Sequence, residues 1–197
     1  MQPGGDTLVF DIETSNFFTS PGVGWGNFDA IEISVVGLYS YIRDEYACFE
    51  AGQEELLKER FAEAETLVGF ASNRYDIPVL NLYFKRRGDD PMLDLWKKKR
   101  VDLLEEVEVA TGRRISLSRL AEANLGIGKD GHGSEAIGLF EQGRMEELKA
   151  YCLKDVRLTR ELYDRFRTAR RLLVPGRDGE GPKEIVFDAP TLQLPLL

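Results

Sequence analysis

The stretch Leu8–Thr14, LVFDIET, constrains this chain more than any other. Leu8, Val9, Phe10 and Ile12 form a short apolar run of the kind that becomes an inner strand. Asp11 and Glu13 interrupt it. Alternate residues of a strand point to one face, so the two carboxylates project side by side. Like charges held that close on a buried sheet are costly unless a cation or a proton neutralises them. A strand end emerging into solvent would carry the same acids harmlessly, and this stretch alone leaves both readings open.

The chain's 197 residues suffice for one domain with a sizeable core. A net charge of −8 argues against a protein that coats nucleic acid by bulk charge. It leaves room for a nucleic-acid enzyme, because an acidic metal site brings its own cations. Cys48 and Cys152 are the only cysteines and form no CxxC pair, so neither a disulfide framework nor a zinc site is expected. MQPGGDT lacks the basic-then-apolar pattern of a signal peptide, and no apolar run approaches a membrane span. The expectation is a soluble, cytoplasmic protein that does not engage a membrane.

After the first strand, Thr14 to Ala30 is rich in Gly and Ser yet carries Phe17, Phe18, Trp25 and Phe28. Such rings either stack on bases beside a site, as in single-strand binders, or pin the loop to the core. Residues 31–41 and 45–50 read as strands, 54–64 as a helix and 66–71 as a buried strand. Three adjacent antiparallel strands, a helix and a returning strand predict an α/β mixed sheet with helices on its faces. SNRYD (72–76) then opens a helix, with Pro78 in its first turn and Asp76 placed to cap it. Asp76 also sits at the carboxyl end of a strand, where open α/β sheets put their ligands.

Three basic clusters follow: Lys85 to Arg87, Lys97 to Arg100, and Arg113-Arg114. They are either solvated surface or a local phosphate-facing patch. Asp102 and Ser116 are placed to cap two further helices. GIGKDGHG (126–133) formally contains GxGxxG but follows a helix, so a dinucleotide-binding role fails on context. The sole histidine, His132, lies in this loop and is read as incidental.

Residues 145–170 carry the longest helical pattern, with Leu148, Cys152, Leu162 and Phe166 on one stripe. Asp155 falls near the centre of that stripe, where a buried charge requires a partner. Tyr151, four residues earlier, shares its face. The bland reading is a packed tyrosine and an aspartate bonded to an amide. The segment 175–197, rich in Gly and Pro, is expected as a tail outside the core domain (1–174), offering a docking arm for a protein partner; Ile185 to Phe187 is placed to add an edge strand.

Three distant segments thus place carboxylates where carboxylates are uncomfortable: Asp11 with Glu13, Asp76, and Asp155. Converging acids suit hard divalent cations, Mg²⁺ or Mn²⁺. Two such ions roughly 4 Å apart are a known device for phosphodiester cleavage. The ordered motifs FDIET, N-x-x-D in FASNRYD, and Y-x-x-x-D in YCLKD resemble the DEDD superfamily of 3′–5′ exonucleases, over residues 8–167. The tyrosine (DEDDy) branch is the closer likeness, because Ala150 stands where the other branch has histidine.

That resemblance implies a ribonuclease-H-like fold: a mixed sheet of three antiparallel strands plus parallel strands, flanked by α-helices. It also implies that Asp11, Glu13 and Asp155 hold one ion and Asp11 with Asp76 a second, while Tyr151 orients the attacking water. Asn73 then organises the turn before Asp76 or touches the substrate. Thr14, Phe17, Phe18 and Trp25 are the further expected substrate contacts. The implied activity is 3′–5′ hydrolysis of single-stranded nucleic-acid 3′ ends, DNA before RNA, giving nucleoside 5′-monophosphates. The alternative is a catalytically silent nucleic-acid-binding or docking module of the same fold. A phosphohydrolase acting on small substrates would explain the acids but not the aromatic loop and the basic clusters.

Overall fold

A computed structural model of the chain describes residues 5–87, 93–127, 133–176 and 180–187. Its main sheet runs in the order β3-β2-β1-β4-β5. β1 (Asp6–Thr14), β2 (Ile33–Ser40) and β3 (Glu45–Glu50) are antiparallel neighbours, whereas β4 (Ala64–Gly69) and β5 (Lys99–Asp102) lie parallel to β1. Parallel neighbours need crossovers. The helix α1 (Glu54–Glu63) carries the chain from the β3 edge across to β4, and α2 (Asp76–Arg87) precedes β5.

Strand alternation in β1 divides the molecule. Leu8, Phe10 and Ile12 face α1 and α2 and join one core with Phe61, Ile77, Leu80 and Phe84. Phe10 meets Phe61 edge-on at 5.3 Å between ring centroids. Val9 faces the other way, into a second core built by α3 (Leu103–Thr111), α4 (Leu117–Leu125) and α6 (Met145–Ala169). Asp11 and Glu13 follow Val9 on that second face. Asp102 and Ser116 cap α3 and α4 as expected, and both helices end at a left-handed glycine.

Two elements depart from the sequence expectation. β5 begins inside the basic run, with Val101 as its one aliphatic side chain. α5 (Gly133–Glu141) follows the glycine-rich loop and packs Ala136 and Leu139 beside Cys152. At the C-terminal end, β6 (Arg171–Val174) pairs antiparallel with β7 (Lys183–Val186) in a separate two-stranded sheet. Part of the segment expected outside the core therefore joins it: Phe187 is buried against Phe166, with ring centroids 5.1 Å apart, because its ring removes apolar surface from water. His132 and residues 188–197 lie outside the described residues. Among those described, no helix is long and apolar enough to cross a membrane.

Candidate active site

Asp11 and Glu13 stand on the central strand, opposite Gly37 and Val35 of β2. A register irregularity falls between Glu13 and Thr14 and ends the regular ladder just past the acids. The long helix α6 crosses this face and brings Tyr151, Cys152 and Asp155. Asp155 is only 5% exposed, on the same buried stripe as Leu148, Cys152 and Leu162. Tyr151 packs against the apolar group formed by Val35, Ala136, Leu139, Leu148 and Cys152. That group includes Val35, the cross-strand partner of Glu13.

One member of this cluster was not anticipated. Oxygens of Asp11 and Glu13 and the Cys152 sulfur all lie within 4.8 Å of one another, a spacing at which a cation would find three donors. The sequence places Cys152 on the helix's buried stripe but gives no sign that its sulfur meets Asp11. Gly37 makes the contact by leaving the space that Cys152 fills.

Asp76 occupies the first turn of α2 and is also buried. Its carboxylate accepts from its own amide and from that of Ile12, the residue between the two β1 acids. The turn before it is a single-turn 3-10 helix, Ser72–Arg74, entered through Ala71 at φ 62°, a conformation costly for a residue with a Cβ. Asp102 offsets that cost: its carboxylate accepts from the Ala71 amide at 2.9 Å and the Asn73 amide at 3.0 Å, besides capping α3. The Asn73 side chain donates to Glu105 at 2.7 Å and accepts from Arg100 at 3.1 Å, an arrangement that organises the turn. Burial, and then the neighbouring Asp102 carboxylate, push the Asp76 carboxyl up to about 8. An acid so disfavoured as an anion suits a site that a cation completes.

The aromatic loop is tied at both ends. Asn16 donates to the Ala30 carbonyl at 2.8 Å and accepts from the Glu32 amide at 3.0 Å. Val23 and Ile31 are buried, and Phe18 and Phe28 pack against the core, so pinning accounts for part of the loop. Trp25 is different, being 82% exposed. Gly24 and Gly26 on either side adopt φ of 83° and 75°, turns that glycine makes without a Cβ penalty. Trp25 touches Phe18, Phe18 touches Tyr75, and the Tyr75 hydroxyl lies 3.3 Å from Thr14 Oγ1. A row of rings therefore runs from the exposed indole to the residue adjoining Asp76. Phe17 is exposed as well.

Five cations of the basic clusters are engaged within the chain itself. Lys98 donates to the Ala62 and Ala64 carbonyls, Lys99 pairs with Glu65, and Arg100 is buried beneath Trp96 and bound to Asn73. Arg86 binds the Ile31 carbonyl and pairs with Asp29 and Glu32, and Arg113 binds the carbonyls of Pro175 and Gly176. These five cations fasten chain segments to one another, each through a carboxylate or carbonyl close by.

Compared with known proteins, the chain matches the sequence model of the RNase_H superfamily over residues 8–167. No curated protein sequence matches it. Among solved structures, the family B DNA polymerase from the hyperthermophilic archaeon Pyrobaculum calidifontis is similar, at 23% sequence identity and a TM-score of 0.62. The likeness covers 84% of this chain and 25% of that one, so the chain spans about a quarter of the polymerase's length, and at this identity the resemblance is one of fold. The matched region takes in β2 to β5, all but the first two residues of β1 and nearly the whole of α6, and the chain belongs to the RNase_H superfamily.

Proposed function

We propose that this protein is a metal-dependent 3′–5′ exonuclease of the tyrosine branch, acting on single-stranded nucleic acid, DNA before RNA. The observation that carries this reading is the meeting of Asp11 and Glu13 on the central strand with the helix bearing buried Asp155 and Tyr151. Superfamily membership supports a nuclease-type function, and the finer assignment rests on these residues. The hard carboxylate donors fit Mg²⁺ or Mn²⁺, and the raised Asp76 carboxyl fits a group that a cation ionises. Asp11, Glu13 and Asp155 would hold one ion and Asp11 with Asp76 a second, and the ions would supply Lewis-acid activation of water and charge stabilisation at the scissile phosphate.

The protein's own groups do the positioning. Tyr151 directs its hydroxyl at the attacking water and orients it. Asp102, acting through the Ala71 and Asn73 amides, fixes the turn that presents Asp76. The exposed Trp25 ring, continued through Phe18 and Tyr75, offers a stacking surface for an unpaired base, with Phe17 and Thr14 beside it.

A time course on 3′- and 5′-labelled single-stranded DNA and RNA, with Mg²⁺, Mn²⁺ or EDTA and beside Asp11→Ala, tests the proposal. The expected result is a ladder shortening from the 3′ end that requires metal and is absent in the variant. Strands that are bound but never cut would establish the silent module instead.

A further inference from the structure

Cys48 and Cys152 meet beside Asp11. The strand register sets Asp11, Gly37 and Cys48 in one row across β1, β2 and β3, so all three positions present the face that α6 covers. Gly37 has no side chain, and Cys152 takes its place: a Cβ on Gly37 would lie 2.8 Å from the Cys152 sulfur. That sulfur stands over the middle of the row. Toward β1 it lies 3.6 Å from the Asp11 carbonyl and 3.9 Å from Asp11 Oδ2. Toward β3, Cys48 packs against the apolar group that includes Cys152, and neither is in a disulfide.

The two sulfurs differ in access. Cys152 is fully buried on the inner stripe of α6, out of reach of solvent. Cys48 is half-buried on the edge strand, and the neighbouring Cys152 thiol, with the Lys149 ammonium nearby, draws its thiol down. An accessible thiol backed by a protected one is the arrangement of an attacking and a resolving cysteine.

We propose that Cys48 and Cys152 are a reversible oxidation site, closing to a disulfide that pulls α6 toward the edge strand and loosens the carboxylate cluster. The oxidant is a small-molecule disulfide of the oxidised-glutathione class. The Cys48 thiolate attacks one of its sulfurs and expels a thiolate. The Cys152 thiol passes its proton to that leaving group and attacks the Cys48 sulfur of the mixed disulfide, expelling the second thiolate, which is protonated from water. Two protein thiols are oxidised and one external disulfide is reduced to two thiols.

Cys152 adjoins Tyr151 and lies three residues before Asp155, so a backbone shift at Cys152 carries both away from Asp11 and Glu13. The catalytic consequence rests on the function proposed above; the bond itself does not.

The test incubates the whole protein with oxidised glutathione, alkylates the remaining thiols, maps the linked peptides by mass, and measures Mn²⁺ binding by paramagnetic resonance. The wild type is expected to lose both thiols, gain a Cys48–Cys152 link and bind Mn²⁺ about tenfold more weakly, with recovery under reductant. Cys152→Ala should stop at a mixed disulfide on Cys48, and Cys48→Ser should react at neither sulfur and keep its Mn²⁺ affinity. Wild-type protein that accumulates only a mixed disulfide, or does not react, overturns the site. A linked protein that binds Mn²⁺ as tightly as the reduced one overturns its effect on the cluster. Reduced protein with no Mn²⁺ affinity would overturn the metal reading, and the mapped peptides would still decide the bond.

Discussion

The two faces of β1 are built from alternate residues of one strand and serve opposite ends. Leu8, Phe10 and Ile12 enter a core of aliphatic and aromatic side chains, where every added contact stabilises the fold. Asp11 and Glu13, on the other face, are gathered with a thiol and covered by a helix bearing a buried aspartate, which costs stability until a cation arrives. One face holds the strand in place, and the other uses that rigidity to keep like charges together.

Substitutions on each face should separate the two roles. Asp11→Ala is expected to reduce turnover by about 10³-fold or more, since it removes a carboxylate assigned to both ions. Its metal-free melting temperature should match or exceed the wild type's, because a repulsion is relieved. Phe10→Ala should do the reverse, costing about 3–5 kcal/mol in urea unfolding while the molecules still folded keep their rate. A stable Phe10→Ala protein, or an Asp11→Ala protein with full activity, would break the division. On the helix side, Tyr151→Phe should lower kcat by roughly 100-fold while leaving Mn²⁺ affinity in place. An unchanged kcat would return Tyr151 to the role of a packing residue.

How much of this was legible depended on the range of each interaction. β1 could be read directly, because alternation is a local property and its two acids break an otherwise apolar run. The burial of Asp155 followed from helical spacing in the same way. β5 could not be read, because Lys97 to Arg100 looks like a solvated charge run until Glu65, Asn73 and the carbonyls that receive those cations are in place. Asp102 was legible as the cap of α3, but its bonds to the amides of Ala71 and Asn73 join residues about thirty positions apart. The approach of Cys152 to Asp11 depends on a missing side chain at Gly37, which matters only once three strands are in register.

Asp76 allows the charge-bearing face to be examined without substrate. In the unfolded chain its carboxyl ionises near the ordinary value of 3.8, and in the metal-free fold near 8. Between those values the native state binds the additional proton, so stability falls as pH rises. The contribution is complete below the unfolded value and lost as pH passes the folded one. Urea midpoints in EDTA should therefore decline across that window. Asp76→Asn should flatten the decline and gain on the order of 1–3 kcal/mol at its upper end. Parallel decline of both proteins would mean that another group titrates.

The smallest expected effect sets the aromatic loop against the basic run. Trp25 is almost fully exposed, so Trp25→Ala should leave stability nearly unchanged and weaken single-strand binding by on the order of 1–2 kcal/mol, read as a higher KM at constant kcat. Lys98→Ala removes hydrogen bonds to the Ala62 and Ala64 carbonyls where α1 meets β4. It should cost about 1 kcal/mol of stability and leave the salt dependence of strand binding as it was. A flattened salt slope in Lys98→Ala would support the phosphate-facing patch. Unaltered binding in Trp25→Ala would leave the exposed indole with no part in substrate recognition. If both expectations hold, recognition in this acidic protein comes from a ring beside the site rather than from surface charge.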